Sequence, residues 1–334
     1  RSSDEYFNDP DLRINSHHRV KVSGIKFNGH QKLNDHIEFN GIIDLKKESI
    51  KSSDVGDRNR KTIATGIQAT FKFVDRLNIQ PGYRTDILDD FIENTYDLTS
   101  SLNLSPLGNM TMSFGTGFHA PTFNDLYWVS DSYSEGNPDL KIEHNQYRIV
   151  RWENNFASMT NVSLEYRRRY SDNLITWSSN ENYIWKPKNI DKSERKNMIM
   201  SVFIPIISPG LSISGHVTRT VAIDINTQKT LQHVPKSSAN IFINYKKKNL
   251  SIECQGHYTG ERPYQELDDN WEPVDITLNG FFDIDIGLHH LFPIKTHQLT
   301  LNLIIQNILD QNTDFFPDYP GPKRRIKLGI ELIL

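Results

Sequence analysis

The C-terminal stretch RRIKLGIELIL, residues 324–334, alternates along its length. Ile326, Leu328, Ile330, Leu332 and Leu334 fall on one face; Arg325, Lys327, Gly329 and Glu331 fall on the other. Period two belongs to an extended chain, so the stretch predicts a β-strand with one apolar and one polar side. The pattern recurs upstream. In THQLTLNLIIQN, residues 296–307, Leu299, Leu301, Leu303 and Ile305 oppose Thr300, Asn302 and Gln306. In ITLNGFFDIDIGLH, 276–289, the apolar set Ile276, Leu278, Phe282, Ile284, Ile286 and Leu288 opposes Thr277, Asn279, Asp283, Asp285 and His289. NLSIECQGHY (249–258) and SANIFINY (238–245) alternate too, and NVSLEYRRRY, TIATGIQATFKF and TYDLTSSLNLS do so with more noise. About fifteen such segments can be counted, many of about ten residues or longer.

Short polar turns at 208–210, 246–249 and 291–296 contrast with longer polar stretches at 86–94, 119–140, 178–195, 222–235 and 262–275. Tight turns at one end and long loops at the other describe an all-β, antiparallel, up-and-down meander. No stretch carries a helical period, and no Gly/Ser linker divides the 334 residues. Two architectures share this pattern. In a sandwich the apolar faces meet in a core; in an outer-membrane barrel they meet lipid, and the polar faces line a lumen. Long strands, ionisable groups on the polar face (Asp283, Asp285, Glu253, Glu331, Arg325) and a last strand ending on apolar Leu334 favour the transmembrane barrel.

Composition sets outer bounds. Apolar residues make up 37% of the chain, aromatics 10%, and the net charge is −3. With a pI near 6.5, nothing points to nucleic acid as a partner. No apolar run approaches the roughly 18 residues of a membrane helix. The single cysteine, Cys254, has no internal partner for a disulfide. The N-terminal RSSDEYFNDP is not a signal sequence, so the chain reads as cytoplasmic or as a mature or truncated piece. No zinc spacing, phosphate loop or nucleophile–base–acid arrangement occurs, so no metal, cofactor or enzyme activity is expected. Asp283 and Asp285 are expected to join a lumen charge network with Arg325 or Lys327. The pairs His17–His18 and His289–His290 point to opposite faces as strand neighbours and do not chelate on their own.

FHAPTFNDLY at 118–127, followed by GNPDLKIE at 136–143, resembles the paired motif of TonB-dependent outer-membrane receptors. QPGYRTD at 80–86 resembles that family's Gly-x-Arg-x-Asp strand, and residues 306–332 resemble its ending. The motif residues are Phe118, His119, Ala120, Pro121, Asn137, Pro138, Asp139, Leu140 and Glu143; His119 stands where the family carries arginine, and Ile142 where it carries proline. Leu334 occupies the place of the terminal aromatic read by the barrel-insertion machinery. The resemblance implies a 22-stranded plugged barrel in a Gram-negative outer membrane, of which residues 1–334 would be the C-terminal portion without plug or first strands. It also implies import of a bulky scarce nutrient, a ferric siderophore or cobalamin, energised by the TonB complex through a region N-terminal to this chain. Residues 122–136 contain no histidine, which argues against haem.

Pro121 and Pro138 end strands, and Asn124, Asp125, Asn137 and Asp139 form turns, so this stretch predicts two rigid corners at a barrel rim. The loop between them offers Tyr127, Trp128, Tyr133 and Glu135 as ligand contacts. Two further loops offer Tyr264 with Trp271, and Tyr183 with Trp185. A passive porin-like channel and a soluble β-sandwich carbohydrate-binding protein are the alternative readings.

Overall fold

A computed structural model describes residues 2–7, 15–73, 76–89, 91–131, 133–156, 159–179, 184–268, 273–294, 297–314 and 321–333. Its first strands are β1 (Ser2–Phe7), β2 (Asn15–Asn34), β3 (Ile37–Ser52), β4 (Gly56–Phe73), β5 (Leu77–Leu88), β6 (Phe91–Asn103) and β7 (Asn109–His119). A five-residue helix α1 (Phe123–Tyr127) precedes β8 (Glu143–Asn155), β9 (Asn161–Ser179), β10 (Trp185–Ser208), β11 (Leu211–Asp224), β12 (Ser237–Lys247) and β13 (Leu250–Thr259). The chain closes with β14 (Arg262–Leu267), β15 (Pro273–Leu278), β16 (Phe281–Ile294), β17 (His297–Gln306) and β18 (Arg325–Ile333).

Among the described residues sixteen strands form one antiparallel sheet in chain order, while β14 and β15 pair with each other and leave β16 beside β13. The order runs open from β1 to β18, a partial barrel. The sixteen agree with the roughly fifteen alternating segments expected.

Register explains the alternation. Leu301, Leu303 and Ile305 of β17 face Ile330, Leu328 and Ile326 of β18, placing apolar next to apolar across the ladder. The faces are inverted relative to a soluble protein. In β4, Ile63 and Ile67 are 48% and 54% exposed, whereas Ala64 between them is 1% exposed. Asp86, Glu143, Asn145, Ser163, Ser171 and Ser193 are buried. A sandwich would hide the apolar set; here the concave side is polar, with ion pairs such as Arg84–Asp86 (2.7 Å) and Arg169–Glu143 (2.9 Å).

The connections divide as the meander predicts. One end of the sheet has turns such as 35–36, 104–108, 209–210 and 248–249; the other carries 120–142, 225–236, 260–280 and 307–324. Three expectations need correction. Residues 86–94 are no long loop: β5 runs to Leu88 and β6 restarts at Phe91 with continuous pairing, because Ile87↔Ile92 and Leu88↔Phe91 extend the ladder beyond the turn. Most of 178–195 belongs to β9 and β10, paired from Trp185↔Ser179 onward. Residues 123–127 are helical, since a capping box supplies a helix start that apolar period cannot reveal in so short a span.

Candidate functional site: the long-loop rim

Asp125 links several parts of the 120–142 loop. Thr122 caps α1: its hydroxyl oxygen accepts the Asp125 N–H (3.1 Å), while Asp125 Oδ2 accepts the Thr122 N–H (2.8 Å) and hydroxyl (2.7 Å). The other oxygen, Oδ1, accepts the Trp177 indole N–H of β9 at 2.8 Å. The Asp125 carbonyl accepts the Asn137 N–H at 2.7 Å, so one buried residue ties both corners together. Gly136 lies where they cross. A Cβ there would stand 2.6 Å from the Trp128 nitrogen, so only glycine lets the segments approach.

The corners are also pinned to the wall. Arg60 of β4 donates to the Pro121 carbonyl (2.7 Å) and lies over the Phe123 ring at 5.1 Å; Arg58 lies 4.3 Å from the Tyr127 centroid. Asn137 Oδ1 accepts the Asp139 N–H (3.1 Å), and its Nδ2 donates to the Pro187 carbonyl (2.9 Å). Asn189 clips the exit, accepting the Lys141 N–H (2.9 Å) and donating to the Lys141 carbonyl (3.1 Å). Glu143 opens β8 buried, taking the Arg169 guanidinium at 2.9 Å. His119 ends β7 opposite Glu143. With Arg169, Arg195 and Leu231 the two line a cavity of about 380 Å³ on the inner wall.

The ligand candidates fall into two groups. Tyr133, Glu135 and Trp185 come together, because the loop tip forms a short parallel bridge with the start of β10 at Ser134↔Trp185. The Trp185 N–H donates to the Tyr133 carbonyl (2.7 Å), and the Glu135 N–H to the Trp185 carbonyl (2.9 Å). Trp185 is thus a strand residue rather than part of an independent loop. The Glu135 carboxylate pairs with Lys186 at 2.9 Å. Tyr133 is 77% exposed, more than any other large aromatic among the described residues. Asp131 shapes this tip: its Oδ1 accepts the N–H groups of Tyr133 (2.7 Å) and Ser134 (2.6 Å), which hold its carboxyl below the ordinary range.

Tyr264 lies elsewhere. Its ring meets His233 edge-on at 5.2 Å, joining β14 to the 225–236 loop. Burial, with the nearby Arg262 charge, pushes His233 below its ordinary value. Arg262 is 1% exposed, donates to the carbonyls of Asn279 (3.2 Å) and Asp314, and lies over Phe281. Tyr183, Trp271 and Leu334 lie outside the described residues.

Asp283 and Asp285 depart from expectation. Asp285 accepts the Asn307 N–H (2.8 Å), Asp283 sits in register with His257, and neither makes an ion pair with Arg325 or Lys327 among the described residues. Sheet register places Arg325 opposite Gln306 instead. Among the described residues no group of three or more His, Cys, Asp or Glu could hold a metal ion. Arg58, Arg60, Trp177, Arg169 and Asn189 were not singled out from sequence. Only the Arg58-x-Arg60 alternation, two cations on one strand face, was a readable signal.

Comparison with known proteins places the chain in a family. The family described as "TonB dependent receptor-like, beta-barrel" matches residues 2–308. The vitamin B12 transporter BtuB of Vibrio vulnificus strain YJ016 is 33% identical over 221 residues, 65% of this chain and 33% of its own length. BtuB of Photobacterium profundum is 27% identical over 210 residues, covering 58% and 32%. Among solved structures, the siderophore receptor PirA of Acinetobacter baumannii superposes with a TM-score of 0.76 at 14% identity, covering 95% of this chain and 55% of that one. The FrpB iron transporter of Neisseria meningitidis gives 0.72 at 13% identity, covering 96% and 56%. The chain thus spans a third of the length of these two transporters and about half that of the structural neighbours. With the family match running through nearly every strand, the chain belongs to the TonB-dependent receptor-like β-barrels.

Proposed function

We propose that this chain supplies the later strands and a ligand-facing rim of an outer-membrane importer, and that its cargo is cobalamin. The supporting observation is the cross-linked 120–142 loop. A segment tied by Asp125, Gly136 and Asn189 presents Tyr127, Trp128 and Tyr133 at the long-loop end of a polar-lined partial barrel. Rigid aromatics lose little entropy on binding a bulky, partly apolar ligand. Cobalamin is preferred to a ferric siderophore because the relatives alignable in sequence are B12 transporters, whereas the siderophore receptors share only the fold. The barrel performs no covalent chemistry; energy comes from TonB, acting through a region N-terminal to this chain. Residues 1–334 are the C-terminal portion of a plugged barrel, lodged in a Gram-negative outer membrane by the insertion machinery.

The test uses the full-length receptor carrying this chain, in outer membranes. Saturable binding of radiolabelled cobalamin is expected without TonB, and accumulation only with it. Tyr133→Ala should weaken binding about five- to thirty-fold while the barrel keeps its heat-modifiable gel mobility. Saturable binding of a ferric siderophore but not cobalamin would replace the cargo. Accumulation independent of TonB would favour a passive channel, and solubility without detergent a carbohydrate-binding sandwich.

A further inference from the structure

Lys47 of β3 and Lys61 of β4 are direct cross-strand partners on the outer face. Lys21 of β2 stands diagonal to Lys47, whose own β2 partner is Ser23. All three lysines are exposed, and none has an ion-pair partner among the described residues. Like charges placed directly opposite destabilise a sheet unless something neutralises them. In another outward row of cations the chain supplies a carboxylate of its own. Arg148, Arg168 and Lys196 also stand in one register row across β8, β9 and β10, but there Glu194 accepts from Arg168 (2.5 Å) and Lys196 (2.8 Å). Lys51, farther toward the long-loop end, has Asp57 at 3.6 Å.

Height identifies what lies beside the unneutralised pair. Below it, Leu45 and Ile63 form an apolar cross-strand pair, and Ile43, Ile67 and Phe73 continue the exposed band toward the short turns. Ten residue steps separate Ile37 from Lys47, about 25 Å of height for a strand rising ~3.3 Å per residue and tilted roughly 40°. That equals the apolar band of an outer-membrane barrel, about 25 Å. The lysines therefore sit where hydrocarbon gives way to headgroups, at the long-loop side. We infer that Lys47 and Lys61, with Lys21, form a binding site for the phosphate of an outer-leaflet lipid headgroup, the anion completing the cross-strand pair. This rests on the membrane reading above.

The test reconstitutes the full-length receptor in neutral phosphatidylcholine nanodiscs containing a phosphorylated glycolipid or the same glycolipid without phosphate. Retained glycolipid is then measured by mass spectrometry. The wild type should retain the phosphorylated form about thirty-fold more than the K47Q/K61Q double variant, a factor of about five per lysine. K47R/K61R should retain it, and all three should hold the phosphate-free form equally weakly. Equal retention of both forms by the wild type overturns the inference, as does wild-type retention by K47Q/K61Q. If that variant fails to assemble, the wild-type comparison of the two lipids decides alone. Heat-modifiable mobility of the wild type separates the failures: without it the membrane reading falls, and with it only the lysine site does.

Discussion

Replacing Asp125 by alanine should release the 120–142 loop while leaving the barrel intact. Asp125 is 8% exposed, and its carboxylate accepts from the Thr122 N–H, the Thr122 hydroxyl and the Trp177 indole at 2.7 to 2.8 Å. Hydrogen bonds to a charged acceptor contribute about 1.5–3 kcal/mol each, and an abandoned buried donor adds a desolvation penalty. The three are coupled, and water can reach Thr122 once the loop loosens. A net loss of about 3 kcal/mol from the closed loop is the working figure, about 150-fold in its opening equilibrium. Hydrogen–deuterium exchange on the full-length receptor reads this directly. The Asn137 N–H, which donates to the Asp125 carbonyl at 2.7 Å, and the Gly136 N–H, which donates to the Trp128 carbonyl at 3.0 Å, should exchange about 100-fold faster. Ladder amides in β8 and β9 should not change. Trp177→Phe removes one donor and should give a smaller effect, about ten-fold. Unchanged protection at Gly136 and Asn137 in Asp125→Ala would refute the claim that this carboxylate holds the corners together.

Other perturbations probe the same rim. Gly136→Ala drives a methyl group to within 3 Å of backbone at Leu126, Tyr127 and Trp128, so the loop must shift at a cost of about 1–3 kcal/mol, seen as weaker ligand binding with unaltered barrel mobility. Asp131 has a depressed folded pKa, so its stabilisation of the tip is complete above about pH 4 and lost as pH falls through the lower folded value. Faster exchange at the Tyr133 and Ser134 amides should appear on acidification, and Asp131→Asn should weaken protection at neutral pH and remove most of the pH dependence. Arg262→Met leaves the Asn279 and Asp314 carbonyls without this donor, and protease sensitivity should rise in 260–280 and 307–314 together, by about 2–4 kcal/mol of local opening. Cleavage in only one of the two segments would contradict the clamp.

The sequence by itself determined the secondary structure class, the meander and the family. Period two survives noise because every strand repeats it, and Pro121, Gly136 and Pro138 mark corners through backbone restrictions that travel with the residue. It also marked the faces, since Ile63, Ile67 and their neighbours share one parity. Which parity faces outward was open on alternation alone, because a sandwich and a barrel write the same pattern; the side-by-side strand order with its polar side buried and its apolar side exposed decided it. The site was legible only in part. Turn chemistry at Asn137 is local and was readable, whereas Trp177, Arg169 and Asn189 lie 24 to 52 residues from the groups they hold. Only register brings such residues together, and register depends on where each turn falls, as at 35–36 and 209–210. The same physics separated Asp283 and Asp285 from Arg325, moved Trp185 from a loop into β10, and set Lys47 against Lys61.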